Sequence, residues 1–115
     1  MTPERGEIWL VRLDPTIGAE IRKTRPVVVI SSNAIGRLPI KLVAPITEWQ
    51  ASFVAHHWHV RIDPTPLNGL TKASVIDTLQ LRGLDHQRFV HKLGEVSPLH
   101  LDEIVLAVAA VIEYP

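Results

Sequence analysis

A chain of 115 residues with 46% hydrophobic content is one domain with enough apolar surface to bury a core, which excludes a two-domain protein and a disordered one. It contains no cysteine, so disulfides, thiolate metal sites and thiol nucleophiles are excluded. Its formal net charge is zero but unevenly placed: residues 1–41 carry seven Lys/Arg against four acids and the rest five against eight, so a local cationic patch is compatible with a neutral whole.

Met1 to Arg5 is polar and does not read as a signal peptide. Glu7 to Leu13 alternates Ile8, Leu10 and Arg12 with Trp9, Val11 and Leu13, and predicts a strand covered on both faces. Asp14-Pro15 ends it. Residues 14–25 predict a mobile loop, with Gly18 free to take positive φ and a cationic cluster of Arg22, Lys23 and Arg25 at its exit. Pro26 sets the entry to Val27–Ile30, whose β-branched run reads as a central strand. Asn33 to Leu38 predicts a turn or one short helical turn. Ile40 to Ile46 is a third strand, and Pro45 within it suggests an edge or a bulge.

Residues 48–56 form a second loop. His57 to Ile62 reads as a strand with Trp58, Val60 and Ile62 on one face and His57, His59 and Arg61 on the other. Asp63 to Gly69 is turn-rich, Ser74 to Asp77 a short strand, Thr78 to Gly83 a turn, Asp85 to Arg88 a helical turn, and Val90 to Val96 the last strand. Ser97-Pro98 is a helix start, an N-cap hydroxyl followed by proline at the first helical position. Leu101, Ile104, Val105, Val108 and Ile112 then recur as one apolar stripe. The longest apolar run, Ile104 to Ile112, is nine residues, too short for a bilayer, and a soluble cytoplasmic protein is expected. Residues 1–115 therefore read as a single, mainly β domain of five or six strands with a C-terminal α-helix, a small bent sheet or barrel.

Three groups of residues bear on chemistry. Glu20, Arg22, Lys23, Thr24 and Arg25 crowd the first loop. RNA is cut without metal when its own 2′-hydroxyl attacks the adjacent phosphate in line. An arginine fork suits the negative charge that grows there and, being always protonated, suits the base role poorly. Arg25 fits charge stabilisation, with proton donation to the leaving 5′-oxygen also open to it. Spacing equally allows Arg25 to cap a strand and pair with Glu20. Thr47 ends the third strand, where its hydroxyl suits either a phosphate contact or the start of a turn. His57 and His59 have metal-ligand spacing on a strand face but lack an obvious third ligand, and surface filling or proton shuttling are the other readings.

Several ordered blocks, Arg5-Gly6-Glu7-Ile8-Trp9, Leu13-Asp14-Pro15-Thr16, Gly18-Ala19-Glu20 and Lys23-Thr24-Arg25-Pro26, resemble the MazF/PemK/Kid family of toxin endoribonucleases. Pro45-Ile46-Thr47, Ser74-Val75, Gln80-Leu81-Arg82 and Asp85 with Arg88 extend the likeness over nearly the whole chain. The resemblance implies an SH3-like barrel with a C-terminal helix, and a homodimeric, sequence-selective RNase that needs neither metal nor cofactor. It implies cleavage of single-stranded RNA to 2′,3′-cyclic phosphate and 5′-hydroxyl ends, and an antitoxin whose disordered acidic tail covers the RNA groove. It assigns catalysis to Arg25 and Thr47. It places Glu20, Ser74 and Gln80 along the groove, with Arg88 as a further match; Arg22 and Lys23 join the RNA-binding set as the loop's own basic cluster.

Ile21, Ala73 and Leu79 depart from the family pattern. Leu79 stands where an acid is frequent, which leaves the general base unassigned and Asp77 as a nearby substitute. Single-stranded RNA exposes base edges that an A-form duplex hides, and Trp49 beside Thr47 is placed either to stack a base or to pack half-buried. The loop 48–56 is the candidate for setting sequence preference. Two other classes were weighed. A CcdB-like, gyrase-binding toxin on a similar scaffold needs no phosphate clamp, and an adaptor for proline-rich peptides needs more exposed aromatics than six Phe, Trp and Tyr supply.

Overall fold

The computed structural model describes residues 2–35 and 38–115. Seven strands form within them: β1 (Glu7–Arg12), β2 (Thr24–Val29), β3 (Ile40–Glu48), β4 (His59–Ile62), β5 (Ser74–Asp77), β6 (Arg82–Asp85) and β7 (Phe89–Glu95), followed by helix α1 (Pro98–Val111). The expected turn at 33–38 is a 3-10 turn over Asn33–Ile35; Gly36 and Arg37 of that expectation lie outside the described residues.

The strands pair antiparallel in the order β4-β5-β3-β2-β1-β7, with β6 joining β3 off this path. The path does not close, so the barrel expected from the resemblance is an approximate description of a strongly curved sheet. Beneath the curvature are two register shifts in the β1–β7 pairing, between Ile8 and Trp9 and between Leu10 and Val11; such irregularities bend a strand and increase its twist.

Pro45 is neither on an edge strand nor at a bulge. β3 is central: it pairs β2 through Val43, Ala44 and Pro45, and its other edge meets β6 through Ile40 to Val43, then β5 through Ile46 to Glu48. Pro45 falls in the gap between those two partners, where the ladder on that side asks no N–H of it. β6 was expected to be part of a turn, and His57 and Trp58 were expected inside β4, which begins at His59.

The two-sided burial predicted for the first strands is present. Ile8, Val28, Ala44 and Ile46 join one cluster with Val60, Ile62, Ile76 and Ile104. Trp9, Val11, Leu13, Val27, Val29, Val43 and Leu84 make a second on the opposite face. Helix α1 starts as predicted, with the Ser97 hydroxyl accepting from the His100 N–H at 3.2 Å and Pro98 at the first turn. Its buried face is rotated from the expected stripe. Ile104 and Ala107 are buried and Leu101 packs against the core, whereas Val105 and Ile112 are exposed. The helix crosses β4 and the 3-10 turn Thr78–Gln80, where a small alanine allows the close approach. No helix among the described residues is long and apolar enough to cross a membrane.

Candidate functional site

The segment between β1 and β2 is built from its own polar side chains. At its root the Leu13 N–H donates to the Lys23 carbonyl at 2.9 Å. The Asp14 carboxylate accepts from the Thr16 hydroxyl at 3.0 Å and from the Lys23 N–H at 3.1 Å, and so ties the entry of the loop to its exit. Gly18 and Lys23 have φ of 59° and 71°, which let the chain reverse. Near the tip, the Glu20 carboxylate accepts from the Ile17 N–H at 2.6 Å.

Three side chains from the far end of the sequence hold this loop. Arg82 Nη1 donates to the Leu13 carbonyl at 3.3 Å, and Arg88 Nη1 donates to the carbonyls of Arg12 and Asp14. Gln80 Oε1 accepts from the Ile21 N–H at 2.5 Å while its Nε2 donates to the Ala19 carbonyl at 3.3 Å. The loop expected to be mobile is thus tied at root, tip and flank.

Arg25 leaves this loop as the second residue of β2, paired with Val11, and is half-buried. Its Nε donates to the Arg22 carbonyl at 3.3 Å. Glu20 is occupied by Ile17, and among the described residues no carboxylate lies within ion-pair distance of Arg25. The strand-cap pairing with Glu20 is therefore not formed. The β2–β3 register pairs Val27 with Pro45. That is the last β2–β3 pair; Arg25 and Thr47 each lie two residues beyond it, in phase with Val27 and Pro45 along their own strands. Thr47 is half-buried and paired on its other side with Val75 of β5. Arg25 and Thr47 thus stand just beyond the last β2–β3 pair, on either side of the point where β3 passes from β2 to β5.

A groove of about 360 Å³ is lined by Glu20, Ile21, Pro45, Leu79, Gln80, Leu81 and Arg82; neither Arg25 nor Thr47 lines it, and Pro45, two residues before Thr47, is its link to β3. The family-assigned residues distribute unevenly around it. Glu20 and Gln80 line it; Arg22 and Lys23 are exposed on the loop; Arg88 braces the loop root from behind. Ser74 is only 5% exposed and its hydroxyl donates to the Lys72 carbonyl at 2.9 Å, so it shapes the β5 entry beneath the surface. Sequence reasoning left Arg82 out of the candidate residues. It lines the groove, and its place after Gln80-Leu81 was the available signal.

Leu79 is 59% exposed on the groove wall. Asp77 points the other way: 6% exposed, its Oδ1 accepts from the Leu79 N–H at 3.1 Å, and its Oδ2 lies 3.4 Å from both Gln80 Nε2 and His59 Nε2. A carboxylate so enclosed is not open to a substrate hydroxyl. His59 pairs with His56 through their Nδ1 atoms at 3.0 Å, while His57 is exposed. His59 is thus engaged by His56 and faces Asp77, and no group of three or more His, Cys, Asp or Glu among the described residues is arranged to hold a metal. Trp49 is half-buried, and the Arg61 guanidinium lies 4.4 Å from its ring centroid, so one face of the indole is already covered.

A family model described as PemK-like, MazF-like toxin of type II toxin-antitoxin system matches residues 4–112. The chain belongs to this toxin family. Among curated relatives of the PemK/MazF toxins, endoribonuclease EndoA of Bacillus subtilis is 32% identical over 105 residues, 90% of this chain and 89% of EndoA. Endoribonuclease PemK of Escherichia coli is 53% identical over 47 residues, a match that spans 38% of this chain and 34% of PemK. Among solved structures, MazF of Deinococcus radiodurans superposes with a TM-score of 0.82 over 98% of each chain at 23% identity, and so shares the fold. A MazE–MazF complex from the same organism matches with a TM-score of 0.77 at 22% identity, over 100% of this chain and 99% of that one.

Proposed function

We propose that this PemK/MazF-family chain is an endoribonuclease toxin that cuts single-stranded RNA without metal or cofactor. The observation that carries the reading is Arg25, at the start of β2 where the basic loop ends, with no carboxylate among the described residues neutralising its guanidinium, while Thr47 stands past the last β2–β3 pair. In-line attack forms a bond between the 2′-oxygen and phosphorus and breaks the bond from phosphorus to the 5′-oxygen. One proton leaves the 2′-hydroxyl and one arrives on the 5′-oxygen, giving a 2′,3′-cyclic phosphate and a 5′-hydroxyl. Arg25 holds the phosphate oxygens with its fork and stabilises the added negative charge. Thr47 donates its hydroxyl to the same phosphate. Glu20, Gln80 and Arg82 line the groove, and Arg22 and Lys23 extend a cationic path for the backbone. Ser74 and Arg88 act from behind, by shaping β5 and the loop root.

The same family standing supports a homodimer and a cognate antitoxin in the cytoplasm. The exposed apolar residues Leu99, Leu106, Ile112 and Tyr114 at and beyond α1 offer a face for pairing, and an acidic, disordered antitoxin tail is the complement of the exposed Arg22 and Lys23 on the loop. A gyrase-binding toxin of the CcdB type finds less support, because it gives the Arg25–Thr47 pair no role.

The test is to incubate the wild-type protein and Arg25→Ala with a long mixed-sequence RNA in EDTA and map the new 5′ ends. Discrete cuts at a recurring short motif by the wild type only are expected. Equal cutting by both proteins, or no cutting by a folded wild type, would overturn the reading.

A further inference from the structure

The groove wall has a hidden support. Gln80 touches the loop with both ends of its amide: Oε1 receives the Ile21 N–H at 2.5 Å and Nε2 donates to the Ala19 carbonyl at 3.3 Å. An amide turned by half a circle would set its NH₂ against the Ile21 N–H, donor against donor, so only one orientation works. The Ala19 carbonyl selects that orientation from the solvent side. From the inside it is selected by Asp77 Oδ2, 3.4 Å from Nε2.

Asp77 is itself fixed. Its Oδ1 accepts from the Leu79 N–H at the start of the 3-10 turn. Its Oδ2 faces His59 Nε2 at 3.4 Å, with both side chains less than a tenth exposed. His59 stacks near Phe53, ring centroids 4.2 Å apart, and meets His56 Nδ1 to Nδ1 at 3.0 Å. His56 lies in turn 4.4 Å from the Trp58 ring, nearly parallel to it. The carboxylate orders the protons along this chain. Opposite Nε2 it favours the proton there; in a neutral His59, Nδ1 is then the acceptor and His56 Nδ1 the donor. The path runs from loop 48–56 through β4 and the end of β5 to residues 19–21, and joins segments that are far apart in sequence.

We propose that Asp77, oriented by His59, is a positioning residue for the groove: it fixes the direction of the Gln80 amide and thereby the wall formed by Ala19, Glu20 and Ile21. Its effect on cleavage rests on the ribonuclease reading; its effect on the loop does not. This role accounts for an enclosed carboxylate that no proton-transfer step uses. It also gives the second loop a physical route to the first.

Asp77→Asn separates the possibilities, because it keeps shape while replacing one acceptor by a donor. Whichever way the new amide turns, an NH₂ meets the Leu79 N–H or the Gln80 NH₂. In the variant the Ile21 amide is expected to exchange with solvent about tenfold faster, the worth of one well-made hydrogen bond. Cleavage is expected to weaken by a similar factor, carried by KM for RNA, with kcat little changed. His59→Gln, which keeps a donor facing Asp77, should hold Ile21 exchange within about twofold of wild type. The wild-type ¹⁵N imidazole spectrum should show the His59 proton on Nε2, a measurement that stands even if Asp77→Asn fails to fold. Unchanged Ile21 exchange in folded Asp77→Asn, or a His59 proton on Nδ1, overturns the proposal. Faster exchange in a protein whose wild type cuts no RNA upholds the positioning role and refutes the ribonuclease reading instead.

Discussion

Replacing Arg25 separates its part in chemistry from its part in folding. In the free protein Arg25 is half-buried and makes a single hydrogen bond of 3.3 Å to the Arg22 carbonyl, with no carboxylate partner among the described residues. Losing a long, solvent-screened bond of that kind costs about 1 kcal/mol or less, roughly 4 °C in Tm for a domain of this size. In the proposed reaction the same group faces, in the transition state, a phosphate that carries an extra negative charge. Removal of one such preorganised donor costs about 3–4 kcal/mol, or a factor of roughly 10²–10³ in rate. Arg25→Gln should therefore lose two to three orders of magnitude in single-turnover cleavage while its melting temperature barely moves. Arg25→Lys keeps the charge but loses the fork, and should fall between, about tenfold below wild type. Both rates would be read on a short RNA carrying the mapped motif, with a thermal melt of each variant in the same buffer. A rate for Arg25→Gln within tenfold of wild type would refute the catalytic assignment. A melt lowered by more than about 10 °C would make Arg25 a structural residue.

Two further outcomes test the fold around the site. Ile104 is fully buried where α1 meets the sheet, so Ile104→Ala should destabilise by about 2–5 kcal/mol in denaturant titration; a change below about 1 kcal/mol would mean that the helix is not docked as described. Glu7 sits on β1 with its carboxylate accepting from the Glu4 N–H at 2.8 Å and the Trp9 indole at 3.0 Å, and 3.0 Å from Lys92 Nζ. Partial burial works to raise its pKa, but these donors and the ammonium together bring it below the ordinary glutamate value. A depressed carboxylate stabilises the fold above its unfolded pKa and loses that contribution as pH falls through the folded pKa. Glu7→Gln should accordingly melt slightly lower than wild type at pH 7, and the gap should close in acid; a gap that persists there would show that packing, not charge, is responsible.

Much of this arrangement is legible in the sequence, and the exceptions have physical causes. Alternation across Glu7–Leu13 and the valine run after Pro26 mark strands because both faces of each are buried, a pattern that local composition records. β6 is Arg-Gly-Leu-Asp, which carries no alternation; it is a strand only because β3 presents a free edge to it. The phase of α1 was misjudged because Val105 and Ile112 outrank Ala107 in hydrophobicity, whereas close packing over β4 selects the small residue. Arg25 and Thr47 are visible as residue types at strand ends, and the last β2–β3 pair, Val27 with Pro45, lies two residues from each. The Asp77–His59 contact was invisible, since eighteen positions separate the pair and only the β4–β5 pairing, which sets His59 against Asp77, brings them together.

The ties on the first loop also bear on when the molecule becomes dangerous to its maker. Arg25 and Thr47 both lie in the first 47 residues, yet the bonds that hold their loop come from Gln80, Arg82 and Arg88, between 59 and 76 positions further along the chain from the groups they grip. Contacts of such range form late, after the intervening strands have paired. During synthesis Arg25 and Thr47 emerge before the side chains that hold the loop. A chain cut short before residue 80 carries none of the three ties, so the groove is organised only after residues 80–88 have been made.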